Sequence, residues 1–487
     1  MDARASIGSI ETLSDLGTKF HEKTGWILTS LTITKSYFGV GSLAIPWGFL
    51  LCGYQLALAM ITVNALLSFF SCWTLVEAQK FFGSQKVRTF ADLGQCCFGN
   101  KGYWFVSSVY FLNQAMTGVG YILFFLTQLE SVIPNDEDHK IALFILILML
   151  TPIACLLRSM KHISYLQIVA LTSLVIAVGS VWATTITNIT KPTFDRTFKS
   201  FDITGVPYFF GIVCFAFEGN TVTLEIYSKM QHKKRDFTKA LALGIGFATF
   251  LFMMTGILFY NAYGQFTQPH FIGNLDPTNW KTYLVKILYA VGVTSGYILQ
   301  IAPLFNLFDQ FLFDNTGGFD EMERRDPEQA RRLYNWSLVL RGALAIVTCL
   351  LGFVAGDFST FLNLQGALVG TLISYVLPCL FFLRVTTYVR AMRYSDQQAD
   401  QNAVENSNQE QQQQVPDEDK EKLLEDIAVT EEDLEREPAH INTEKLADET
   451  YIERLQRILC YIMIIFGISG GVMSFLFTST TILNDFV

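Results

Sequence analysis

Two short stretches combine residue types that are costly inside a helix and useful outside one. The first is Lys35-Ser-Tyr-Phe-Gly39-Val-Gly41-Ser42-Leu-Ala-Ile-Pro46, and the second is Phe215-Ala-Phe217-Glu218-Gly219-Asn220. Each lies within a long apolar run. Glycine and proline loosen a helix there and free backbone N–H and C=O groups, which a membrane tolerates only where they line a cavity or face protein. A freed half-helix N-terminus offers N–H donors and a positive dipole end, a setting that suits a carboxylate. The chemistry is binding rather than bond-making. No glycine-rich phosphate loop, His/Cys metal cluster or paired nucleophile and base accompanies these stretches, so neither an enzyme nor a cofactor is expected.

The elements that must position them are membrane spans. Hydrophobic residues make up 51% of the 487 and charged residues 16%, too little charge to solvate a globular surface. That composition excludes a soluble enzyme, a disordered scaffold and a nucleic-acid binder. Eleven runs are long enough for a hydrocarbon core: Trp26–Leu51, Leu56–Val76, Trp104–Val132, Ile141–Leu157, Tyr165–Ile186, Val206–Ile226, Ala240–Tyr263, Tyr283–Phe308, Trp336–Ala355, Phe358–Leu383 and Ile458–Ile482. The runs are continuous, not alternating, so an all-α polytopic membrane protein is expected and not a barrel. The chain divides into an N-terminal cytoplasmic segment (1–25), a ten-helix core (26–383), an insertion (384–457) and an eleventh helix with an outer C-terminus (458–487). If ten helices split into two halves of five, spans one and six correspond. Interruptions at corresponding positions, one carrying an intramembrane acid, point to an inverted-repeat transporter with its site between the repeats, although single glycines in spans also serve close packing.

Charge sets the orientation. With the N-terminus cytoplasmic, the inner connections carry twenty Lys/Arg, among them Lys80, Lys233 and Arg384, against five in the outer ones (Lys140, Lys191, Arg196, Lys199, Lys281). The Asn188-Ile-Thr190 sequon then falls in an outer loop. The chain's net charge of −9 is local: Arg393 to Glu449 holds eighteen Asp/Glu against five Lys/Arg, so the remainder is net positive. From about Tyr394 to Thr450 the acidic, Gln-rich composition reads as a disordered cytoplasmic insertion. Leu423-Leu424 after Asp419 has the form of an acidic dileucine signal, so a sorting adaptor or other protein partner at 394–450 is an expectation beside a plain flexible loop. The cysteines lie mostly in apolar runs and read as buried thiols.

The residues also match a family. Lys35 to Pro46, followed by Trp47-Gly-Phe and Gly53-Tyr54, resembles the first helix of the amino acid/auxin permease family. Phe215-Ala-Phe-Glu218-Gly219 is similar to its sixth-helix signature, Leu364-Gln-Gly366 through Pro378 to its tenth helix, and Tyr297-Ile-Leu-Gln300 with Pro303 to the eighth helix of its proton-coupled branch. The resemblance runs over nearly all of Gly25 to Leu383. It implies a leucine-transporter-like fold of five plus five inverted-repeat helices with an eleventh added, and an amino acid as substrate. It also assigns the substrate carboxylate to amides near Gly39, Val40, Gly41 and Ser42, and the amino group to carbonyls of Phe215, Ala216 and Phe217 beside Gly219. A zwitterion needs one positive and one negative backbone end close together, and two half-helices supply both. Tyr37 and Phe38 depart from the family pattern, which commonly has small or amide-bearing residues there.

Ionisable groups within the spans are few and expensive. Glu218 either cycles the coupling ion or holds the broken helix by hydrogen bonds to freed amides. Lys35 and Glu225 fall six residues from Gly41 and Gly219 on helices of opposite direction, so an ion pair closing an inner gate is expected, with snorkelling of both as the other reading. Thr294 and Ser295 offer adjacent hydroxyls for sodium or bond back to their own backbone, and Asn113, Gln114, Asn363 and Gln365 are further polar candidates that also read as contacts between helices. A secondary transporter of a neutral amino acid, coupled to a proton, is the expected function. Sodium coupling on the same scaffold and a non-transporting sensor or subunit are the alternatives, and the membrane is the plasma membrane or an endolysosomal or vacuolar one.

Overall fold

The computed structural model describes residues 25–83, 87, 89–130, 160–190, 196–230, 232–275, 280–290, 292, 296–297, 301, 304, 326–410 and 449–485. The elements among them are helical. Helix α1 spans Trp26–Tyr37, a 3-10 turn covers Val40–Ala44, and α2 runs Ile45–Phe82. Then come α3 (Phe90–Glu130), α4 (Met160–Thr190), α5 (Val206–Ala216), α6 (Asn220–Lys229) and α7 (Lys233–Tyr263). A helical stretch at 280–290 precedes α8 (Pro327–Val354) and α9 (Phe358–Gln365). Two π-helical stretches, Gly366–Gly370 and Leu372–Val376, join α9 to α10 (Leu377–Glu410), and α11 (Tyr451–Asp485) follows.

Eight of the helical stretches among the described residues are long and apolar enough to cross a membrane. The expected fourth span and half of the eighth lie outside the described residues. Apolar side chains on the outer faces, such as Val347 and Leu351 on α8 and Ile462 and Ile465 on α11, remain exposed. A helix apolar all round suits lipid on one side and protein on the other. Inside, the core is aromatic: Phe49, Phe209, Phe217, Phe252, Phe259 and Tyr260 are fully buried between α2, α5 and α7.

Local sequence explains where the helices start and bend. Pro46 and Pro207 sit in the first turns of α2 and α5, where a missing N–H costs nothing. Asp326 and Asp357 cap α8 and α9, accepting the N–H groups of Glu328 and Gln329 and of Thr360. Within α2 the chain turns at Gly53, whose φ is +77°. That corner pairs with the segment before α5: Tyr54 N–H donates to Lys199 O (3.3 Å), Gln55 N–H to Ser200 O (3.1 Å) and Asp202 N–H to Cys52 O (2.8 Å). Spans one and two are therefore continuous through a glycine corner.

Two expectations are corrected. Helix α10 continues to Glu410, so residues 384–410, assigned to the insertion, are helical. The span has already nucleated the helix, and Arg, Met, Gln, Ala and Glu extend it at low cost. Arg393 on this extension pairs with Glu453 of α11 at 2.7 Å. Residues 411–448, with the dileucine, lie outside the described residues. The sequon is also not in a loop. Asn188 belongs to the last turns of α4 and its Nδ2 donates to Tyr263 Oη at 2.9 Å. The eight described cysteines carry no disulfide, and all but Cys96 are buried.

Candidate functional site

Both predicted interruptions are present, and they touch. Helix α1 ends at Tyr37, Phe38 and Gly39 leave helical geometry, and the 3-10 turn of Val40–Ala44 leads into α2. Gly39 N–H turns back to Tyr37 O (3.0 Å), and Ser42 N–H donates to Gly39 O (3.1 Å). The Ser42 hydroxyl donates to the same carbonyl at 2.7 Å and lies 3.2 Å from Tyr289 Oη. Ser42 therefore caps the break from within. Of the four amides assigned to a carboxylate, those of Val40 and Gly41 are the two with no acceptor among the described residues.

The second interruption covers Phe217, Glu218 and Gly219, between α5 and α6. Phe215 O accepts from Glu218 N–H and Phe217 O from Gly219 N–H, both at 3.2 Å, while Ser68 Oγ on α2 also donates to Phe217 O at 3.2 Å. The Ala216 carbonyl has no such partner among the described residues. It is thus the most available of the three carbonyls assigned to an amino group. A Cβ added at Gly41 would lie 2.9 Å from Ala216 Cα, so only glycine lets the two breaks approach this closely. A small cavity opens between them, lined by Ser36, Tyr37, Gly39, Val40 and Gly41 on one side and by Phe215, Ala216 and Glu218 on the other. Thr117 and Tyr121 of α3 complete the lining.

Tyr37, read from sequence only as a departure, braces the two breaks. A Cβ on Gly219 would fall 2.2 Å from Tyr37 Cζ and 2.5 Å from its Oη, so the hydroxyl end of the ring packs against the second interruption. Tyr37 Oη is 2.8 Å from Ser68 Oγ, and because the single Ser68 proton goes to Phe217 O, Tyr37 is the donor. Below this, Asn220 ties α6 to α2 and to the π-helical stretch Leu372–Val376: its Nδ2 donates to Ser71 Oγ (2.7 Å), Ser374 O (3.1 Å) and Ile373 O (3.2 Å), and its Oδ1 accepts from Cys72 Sγ. Every partner is buried, where such bonds are hard to replace.

Glu218 sits at the junction of three elements. Asn113 Nδ2 on α3 donates to its Oε1, and Gly370 of the π-helical stretch lies beside its Oε2. The carboxylate does not bond the freed amides of its own break; its neighbours are side chains of α3 and the backbone of the tenth span. Gln365 Nε2, at the end of α9, donates to Thr117 Oγ1 (2.6 Å) and to Asn113 O (3.4 Å). Asn363 instead joins α11, accepting from Ser474 Oγ at 2.8 Å and donating to Thr478. So Asn363 is the helix-to-helix contact that was expected, whereas Asn113 belongs to the site.

The expected gate pair is not formed. Glu225 bonds Lys229, one turn further along α6, with both side chains about half exposed. The i, i+4 spacing on one helix face brings these two together more readily than residues on separate helices. Lys35 lies in the last turn of α1, where a cation complements the helix C-terminus. Thr294 and Ser295 lie outside the described residues.

A family model described as transmembrane amino acid transporter protein matches residues 22–392. Similar curated proteins include amino acid transporter ANT1 of Arabidopsis thaliana, 28% identical over 380 residues that cover 74% of this chain and 85% of that one. Amino acid transporter AVT3A of the same plant is 25% identical over 71% of this chain and 78% of its own length. Vacuolar amino acid transporter 3 of Saccharomyces cerevisiae is 23% identical over 75% and 52%, respectively. Among solved structures, a substrate-bound, outward-open Na+-coupled sialic acid symporter aligns with a TM-score of 0.40 and 12% identity, over 74% of this chain and 84% of that one.

Proposed function

Because the chain belongs to the transmembrane amino acid transporter family, a family of transporters and not of enzymes, we propose that it is a proton-coupled carrier of neutral amino acids working by alternating access. The fold we assign is the five-plus-five inverted repeat with an eleventh helix, supported by interruptions in the first and sixth spans that meet face to face. In this reading the substrate carboxylate binds the Val40 and Gly41 N–H groups and its ammonium binds the Ala216 carbonyl. Among the described residues that line the cavity, Glu218 is the one charged side chain, which favours substrates without a charged side chain.

The observation that carries the reading is the contact between Gly41 and Ala216, which sets free donors and a free acceptor on opposite walls of one cavity. Glu218, on the same wall and bonded to α3, is the proton carrier. The likeness to a vacuolar transporter of yeast supports an internal, vacuole-type membrane as the site of action. Uptake of labelled neutral amino acids by purified protein in liposomes tests the proposal, with pH and sodium gradients imposed separately. Accumulation driven by the pH gradient supports it. Accumulation that needs sodium overturns the proton assignment, and no uptake under either gradient overturns transport.

A further inference from the structure

Four atoms at the α3–Glu218–α9 junction define an unusual arrangement of hydrogen-bond capacity. Asn113 Nδ2 donates to Glu218 Oε1, while Asn113 Oδ1 and Glu218 Oε2 are both buried and have no partner among the described residues. Asn113 is fully buried. A buried acceptor without a donor is costly, and a charged one more so. The two unpartnered atoms are both acceptors, so no rotation of either group pairs them. Turning the amide over would only set its oxygen against Glu218 Oε1, again acceptor against acceptor.

One proton on Glu218 resolves this. A carboxylic acid and a carboxamide form a closed ring with two hydrogen bonds: the amide N–H to the acid carbonyl oxygen, and the acid O–H to the amide oxygen. Asn113 already makes the first of these. We propose that protonated Glu218 makes the second to Asn113 Oδ1, so that Asn113 is the residue that selects a proton, rather than a metal cation, at this carboxyl. A metal ion would need further oxygen ligands in place of the amide N–H that faces Oε1.

The surroundings hold Asn113 in position for this role. Gln365 Nε2 and the Thr117 hydroxyl converge on the Asn113 backbone carbonyl, at 3.4 and 2.9 Å. Gly370, with no side chain, lies over Glu218 Oε2, where a Cβ would come within 4.0 Å. The acid–amide ring thus lies against the π-helical part of the tenth span, and opening it on proton release leaves two buried acceptors that this span must uncover or re-pair. The inference rests on Glu218 as the coupling group.

Infrared difference spectra of the purified full chain in lipid, recorded across a pH step, test the pair without requiring transport. The expected result is a carboxylic-acid C=O band that is gained on acidification, absent in Glu218→Gln and displaced toward the free-acid position in Asn113→Leu. Glu218→Gln supplies a second, independent measurement. Its amide can make both ring bonds without a proton, so this variant should melt no lower than the parent at neutral pH, whereas Asn113→Leu should melt lower. If Asn113→Leu does not fold, Asn113→Gln, which lengthens the arm by one methylene, should displace the band in its place. A titrating band that Asn113 substitution leaves unmoved overturns the pair, as does the absence of any band lost in Glu218→Gln. A displaced band in a protein that takes up no amino acid would sustain the pair and remove the transport reading.

Discussion

The backbone of Gly41 rests directly on that of Ala216: a Cβ on the glycine would stand 2.9 Å from Ala216 Cα and 3.0 Å from the Phe215 ring. The walls of the cavity are thus two interrupted helices in contact, and the spacing between free N–H groups and free carbonyl depends on one missing methyl. Gly41→Ala should push the walls apart at a cost of about 1–3 kcal/mol. Amino acid uptake should fall at least about tenfold, because the misplacement lands on the binding groups. Parallel uptake and melting curves check this, and unchanged uptake would show that the contact does not set the site.

Gly219 and Tyr37 form a second pair whose sizes are matched. Adding a methyl at Gly219 places it 2.2 Å from the Tyr37 ring, so Gly219→Ala alone should abolish uptake. A smaller residue opposite should make room. The double variant Gly219→Ala with Tyr37→Leu should recover part of the activity, though not all, since it forgoes the Tyr37–Ser68 hydrogen bond. Activity of the double variant no greater than that of Gly219→Ala would argue that Tyr37 is not the obstacle.

At the other end of the first span, Gly53 holds the corner with φ of +77° and a Cβ position only 2.7 Å from the Ser200 carbonyl carbon. Both the backbone and the space exclude a side chain. Gly53→Ala should destabilise the protein by about 1–3 kcal/mol. The loss should appear as a lower melting temperature in detergent, and an unchanged one would mean that the pairing with Lys199 and Ser200 is loose.

The Glu225–Lys229 pair replaces the gate that the spacing of Lys35 and Glu225 suggests. Reversing both charges, Lys35→Glu with Glu225→Lys, should restore no more uptake than either change alone. Glu225→Gln should cost only about 0.3–0.5 kcal/mol, the value of an exposed i, i+4 pair. Rescue by the double reversal would show that the two residues meet in another state of the cycle.

Both interruptions were legible in the sequence because glycine, proline and an acid inside an apolar run have few structural uses. What surrounds them was not. Tyr37 stood out only as bulky beside a glycine, and its contact with Gly219 depends on how two distant helices cross. Asn113 carried no local signal to separate it from the other amides, since what distinguishes it is Glu218 on another element. The π-helical stretch from Gly366 to Val376 was also hidden: its hydrogen bonds differ from those of an α-helix by one residue, a change that hydrophobic pattern does not record. The extension of α10 to Glu410 was hidden by composition, as polar residues that look disordered alone continue a helix already begun.

The central claim is that the two breaks hold both charged ends of an amino acid. Equilibrium binding to the purified protein tests it, using a neutral amino acid, its methyl ester and the same molecule without its amino group. Each analogue lacks one charged group and should forfeit a hydrogen bond to that charge, about 1.5–3 kcal/mol, which corresponds to roughly 10- to 100-fold weaker binding. The account predicts that loss for both analogues. Equal binding of the ester or of the deaminated acid would contradict it.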